Sequence, residues 1–278
     1  MHASILACPA RDPRGDTAGM TADLSRYDDW LDFLRELPRH CRDARVVVVS
    51  GSAVTGGYDA HSDLDVQVWS DGPAAETYDT ALALAHERFD VDHVWRVAAD
   101  RWPTAAQGFI HLQPDAADLS RPTRLVDFFV DRLPERLTID VRRHGTPEVL
   151  HDPAGLLHLE HDDEVQMEAE RRRAVEQAAA RRQTGAWLVE RAVARGDVTE
   201  ATWFHMRFAI EPLVTLLRIQ HCPARHDFGL RYLRTDLPGR MAEQVEALLP
   251  GPDLAVRTRA AFAWQDEVLA QLTSRTEA

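Results

Sequence analysis

The chain has 278 residues, 45% of them hydrophobic and 28% charged, with a formal net charge of −13. That length suits one large domain or two modest ones, two being the expectation, and no stretch approaches the roughly 20 apolar residues of a membrane span. The acidic balance argues against a protein that coats phosphate backbones and tilts the expected partner toward a cationic small molecule, because nonspecific nucleic-acid binding rests on Lys and Arg.

Residues 1–22 have neither the basic start nor the long apolar run of a signal peptide, so they read as a disordered lead-in with Met20 as an alternative start. Cys8, Cys41 and Cys222 are an odd set without CxxC spacing, which fits a reducing cytoplasm better than a disulfide framework or a zinc site. From Tyr27 to Leu37 the apolar residues Trp30, Leu31, Phe33, Leu34 and Leu37 recur at helical spacing. Arg45 to Ser50 (RVVVVS) then reads as a strand buried on both faces, ending at Gly51-Ser52.

Ala53 to Ser62, with Gly56-Gly57, reads as a loop, Asp65 to Trp69 as an alternating strand, and Ala75 to Phe89 as a helix. Three short β-rich runs follow at Asp92 to Val97, Leu125 to Val130 and Leu137 to Val141, the last two expected as neighbouring strands joined by Asp131 to Arg136. Region 38–150 is thus expected to be a mixed sheet of four or five strands. Beyond His151-Asp152-Pro153 the pattern turns helical, with Asp162 to Ala194 rich in Glu, Ala, Arg and Gln, a start at Asp197, an apolar run from Phe208 to Ile219 and a last segment from Leu254 to Leu272. The expected fold class is α+β, with a lead-in over 1–22, a mixed-sheet domain over 23–155 and an all-α helical bundle over 156–278. Trp187, Trp203 and Trp264 are expected in the core of that bundle, and the Arg171-Arg172-Arg173 and Arg181-Arg182 clusters on a solvated face.

The chemistry concentrates where the first strand ends. Asp63 and Asp65 flank Leu64, and carboxylates two apart on a strand point to one face, where they repel unless a cation lies between them. Oxygen-only ligands suit Mg2+, which keeps several waters and bridges to substrate phosphates. Gly51 lets the backbone approach a triphosphate, and Ser52 can donate a hydrogen bond to it. A third carboxylate is expected from a nearby strand, Asp127 or Asp140. Asp127 is preferred because it sits in the most apolar run, whereas Asp140 has Arg142 and Arg143 beside it. Ser62 either touches phosphate or merely starts the strand, and His61 reads as a loop residue. Glu211, inside the apolar run before Pro212, is read as a carboxylate for a cationic acceptor in a cleft between the domains, the alternative being an exposed position near a kink.

Gly51-Ser52, ten residues, then Asp63-Leu64-Asp65 and a later strand aspartate resemble the nucleotidyltransferase superfamily that includes DNA polymerase β. The chain looks closest to its antibiotic (aminoglycoside- and lincosamide-type) adenylyltransferases, over roughly 45–153. The resemblance implies a two-Mg2+ mechanism in which Asp63 and Asp65 hold both ions and Asp127 one, ATP or another nucleoside triphosphate as co-substrate, and transfer of AMP to a small-molecule hydroxyl. Arg231-Tyr232-Leu233-Arg234 is similar to a triphosphate-facing helix of that branch, with Arg where Lys is expected, and so carries Arg231 over as a phosphate ligand. Protein or RNA nucleotidylation, or a non-catalytic nucleotide-binding module, remain as alternatives.

Overall fold

The computed structural model describes residues 22–113 and 120–276, which form two compact units meeting at Asp162 and Asp163. The expected lead-in falls almost entirely outside the described residues.

In the first unit, α1 (Asp28–His40) buries Trp30, Leu31, Phe33, Leu34 and Leu37, each worth about 1.5–3 kcal/mol of apolar burial. β1 (Ala44–Val49) explains its unbroken valines: Val47 and Val49 join the core under α1, while Val46 and Val48 join a second cluster with Trp69, Leu137 and Ile139 on the opposite face. A single helical turn, α2 (Ser52–Thr55), opens the segment expected as loop and leads to β2 (Leu64–Ser70) and α3 (Ala74–Arg88). Then come β3 (Val91–Arg96), β4 (Ala106–Leu112), β5 (Leu125–Arg132), β6 (Leu137–Ile139), the short α4 (Val141–His144), β7 (Glu148–His151) and β8 (Leu157–Leu159).

Six strands make one mixed sheet in the order β3-β4-β5-β2-β1-β7, and β6 pairs with β8 in a separate two-stranded sheet. Two expectations are thereby corrected. The described residues of the unit hold eight strands, with β4, β7 and β8 unforeseen, and β5 and β6 are not neighbours, because β5 is hydrogen-bonded on both sides, by β4 and β2. The β2–β5 ladder is parallel and every other pairing of the large sheet is antiparallel. Along β2 and β5 alternate residues (Leu64, Val66, Val68 and Val126, Phe128, Val130) enter the core, leaving Asp65, Gln67, Asp127 and Asp131, together with Trp69 and Phe129, on the other face.

The second unit is helical: α5 (Glu164–Ala194), α6 (Val198–Phe204), a wide π-turn over His205–Ile210, α7 (Glu211–His221), α8 (Leu233–Asp236), α9 (Met241–Leu248) and α10 (Leu254–Thr276). Asp163 and Asp197 cap α5 and α6 by accepting from the amides of Val165 and Glu200, each cap worth about 1 kcal/mol. The core is built on Ile210, Leu213, Val214, Leu216 and Leu217. Trp187 and Trp203 are not in it. They are 57% and 59% exposed, because the helix faces that carry them turn outward, while Trp264 packs partly buried against the core. The Arg171 side chain also departs from expectation, being buried between Glu164 and Glu168 rather than solvated. Among the described residues no helix is long and apolar enough to cross a membrane.

Candidate active site

β1 delivers the chain to Gly51, whose φ of 65° and ψ of −141° lie where side-chain-bearing residues are strained. The space is closed as well: a Cβ on Gly51 would lie 1.8 Å from Asp65 Oδ2 and 2.4 Å from its Cγ. The Asp65 carboxylate therefore rests directly on the Gly51 backbone, and glycine is what allows that approach. The amides of Val54 and Thr55 (3.2 Å each) and the Thr55 hydroxyl (3.0 Å) donate to the Gly51 carbonyl and wind α2. At the first position of that turn the Ser52 hydroxyl is buried without a hydrogen-bond partner among the described residues.

The parallel ladder sets Asp65 on β2 opposite Asp127 on β5 in register, and Asp63, two residues before Asp65, falls on the same face. Asp63 and Asp127 are half-buried, and no ion pair joins either among the described residues. Burial pushes the Asp63 carboxyl above the usual range. Asp127 is raised as well, first by burial, with the Asp63 charge adding to it and the Gln107 hydrogen bonds opposing it. Gln107, on β4, donates from Nε2 to both Asp127 oxygens at 2.8 and 3.1 Å, and its own Oε1 accepts from Trp102 Nε1 at 3.0 Å.

The half-buried carboxylates of Asp63 and Asp127, which no ion pair joins among the described residues, are suitable donors for a divalent ion such as Mg2+. As the side chains stand, however, no group of three or more His, Cys, Asp or Glu residues among those described is drawn together closely enough to hold one.

No protein-family model matches the chain, and no curated protein matches it by sequence. Among solved structures it is similar to a STING-associated CdnE c-di-GMP synthase from Capnocytophaga granulosa, at 13% identity over 89% of this chain and 83% of that one, with a TM-score of 0.24. At that score the likeness says nothing about chemistry, for which the geometry of the sheet has to speak.

The remaining candidates are placed as follows. The Ser62 hydroxyl is engaged within the Asp59 turn, accepting from the Asp59 amide (2.9 Å) and pairing with its Oδ1 (3.0 Å). His61 is an exposed loop residue whose amide donates to Asp59. Arg26 fixes this loop by donating to the carbonyls of Asp59 (2.9 Å) and Ser62 (2.7 Å) while its guanidinium covers the Tyr58 ring at 4.5 Å. Asp140 stands apart from the three carboxylates. It caps α4, receives the Arg142 fork and the amide of Asp162 (2.9 Å), and although burial pushes its carboxyl up, those hydrogen bonds prevail and hold it well below the usual carboxylate range.

In the helical unit Arg231 is exposed beside the Phe228 ring at 5.6 Å, and its carbonyl accepts from the buried Arg218. Glu211 is exposed at the start of α7, 3.8 Å from Arg207. Three residues that serve the site went unforeseen: Arg26, Gln107 and Trp102. Gln107 carried one sequence signal, alternation with the buried Ala106 and Gly108, but Gly108 inside the run weakened the strand pattern.

Proposed function

We propose that the sheet unit transfers a nucleoside monophosphate, AMP from ATP first of all, to a hydroxyl of a small cationic molecule of the aminoglycoside kind. One observation carries the reading: Asp63 and Asp65 on β2 share a face with Asp127, the register partner of Asp65 on a parallel strand, at the point where the Gly51 turn presses on Asp65. The spacing of these residues resembles that of nucleotidyltransferases, and the overall charge of −13 suits a cationic acceptor.

Asp63, Asp65 and Asp127 are the residues that would hold a divalent ion. When bound, the ion supplies charge neutralisation for a triphosphate and for the oxygens that attack and leave at its α-phosphorus. The chain's own contributions are separate. Ser52 offers its unpartnered hydroxyl to a phosphate oxygen, and the bare Gly51 backbone admits the phosphate chain. Asp127 accepts the proton of the acceptor hydroxyl, a role open to a half-buried carboxylate that no ion pair joins among the described residues.

The test is incubation of the full chain with ATP, Mg2+ and a panel of aminoglycosides, read as acceptor-dependent pyrophosphate release that Asp127→Asn abolishes. Release with no aminoglycoside but with other hydroxylated acceptors would retire the antibiotic part alone. No release with any nucleoside triphosphate and acceptor would retire the transferase reading.

A further inference from the structure

Asp127 is held by a chain of three side chains that nothing in the proposed chemistry uses. Trp102 Nε1–H can only donate, so the Gln107 amide oxygen that meets it at 3.0 Å fixes the amide's orientation and turns Nε2 toward Asp127. Flipped, Gln107 would set its oxygen against a carboxylate and lose both bonds. The Trp102 ring is set in turn against Phe129, edge to face at 5.9 Å and 86°, and Phe129 lies in register with Gln107 across the β4–β5 ladder. A carboxylate has about four acceptor positions, so the Gln107 hydrogens leave lone pairs on Asp127 for a cation.

We propose that Gln107, oriented by Trp102, is the positioning residue for Asp127, fixing the orientation in which its half-buried carboxylate would meet a divalent ion. The inference rests on the metal-binding part of the proposed function. Groups that hydrogen-bond a metal-ligating carboxylate fix its orientation, and removing one typically lowers metal affinity about 10–100-fold.

The experiment measures Mn2+ binding by calorimetry on the full chain with a non-hydrolysable ATP analogue, for the wild type, Gln107→Leu and Trp102→Phe, with melting temperature as a check on folding. Gln107→Leu keeps bulk and removes the donor. Trp102→Phe keeps an aromatic ring for Phe129 while removing the N–H and part of the indole, at a position exposed enough to leave folding intact. The expected result is about 10-fold or greater weakening for Gln107→Leu and a smaller weakening for Trp102→Phe, with melting temperatures close to wild type. Variants that bind Mn2+ as tightly as the wild type, or more tightly, overturn the positioning role and leave the transferase reading standing. A wild type that binds no Mn2+ overturns the metal reading and this inference with it.

Discussion

Replacing Gly51 by alanine should damage both the fold and the chemistry, in two parts that can be measured separately. The first part is backbone strain, since φ 65° with ψ −141° suits only glycine, at about 1–3 kcal/mol. The second is steric: the new methyl would sit 1.8 Å from Asp65 Oδ2 and 2.4 Å from Cγ, so the carboxylate must move, an overpacking of about 1–3 kcal/mol. Together they give a loss of about 4 kcal/mol, measurable by urea denaturation followed by circular dichroism. Asp65→Ala removes the two closest atoms and leaves its Cβ at the 3.0 Å contact. In the Gly51→Ala/Asp65→Ala double variant the steric part should therefore largely disappear and the backbone part persist, a coupling of about 1–3 kcal/mol. Gly51→Ala at wild-type stability, or strict additivity in the cycle, would refute this account of why glycine ends β1.

Asp63→Asn should raise the melting temperature while abolishing transfer. Burial disfavours the Asp63 charge in the fold, a cost present at neutral pH that fades as pH falls through its raised value, so the gain over wild type should shrink in acid. Asp140→Asn should lower stability by about 1.5–3 kcal/mol through lost charged hydrogen bonds yet keep pyrophosphate release, the reverse of Asp127→Asn. Arg218 is fully buried and donates to Asp236 (2.6 Å) and to the carbonyl of Gly229 (2.8 Å), so Arg218→Met should cost about 3–5 kcal/mol in chemical denaturation. His205 is buried between Thr258 (2.9 Å) and the Leu248 carbonyl (2.8 Å), and burial holds its imidazole below the ordinary value. The unfolded chain then protonates first, so stability should be level above about pH 6.5 and decline below it until the folded ring also protonates, a slope that His205→Gln lessens.

What could be read in the sequence follows from how local its physical cause is. The valines of β1, the alternation of β2, the helical spacing of α1 and the start of α6 at Asp197 are each decided within a few residues, and the structure places them within a few residues of expectation. β4 and β7 were illegible for a different reason. β4 carries Gly108, and the exposed run of β7 depends on pairing with β1, about a hundred residues earlier in the chain, for its existence as a strand. Trp187 and Trp203 misled because helical spacing tells which residues share a face but not which face meets the core.

Asp127 and Asp140 show the same division at the site. Both are aspartates at short β-rich runs, which the sequence separates only by the apolar run around Asp127 and the arginines that follow Asp140. What separates them is distribution of partners in space: Asp140 collects the Arg142 fork and two backbone amides within a few ångströms, whereas Asp127 receives one neutral amide and feels the charge of Asp63. A buried carboxylate that is already satisfied has little to gain from a cation, and one that is raised, repelled and underpartnered has much. The apolar run around Asp127 corresponds to a half-buried carboxylate on β5. It could not supply the parallel pairing that sets Asp127 beside Asp65, because β2 and β5 are some sixty residues apart in sequence and meet only when α3, β3 and β4 have been laid down between them.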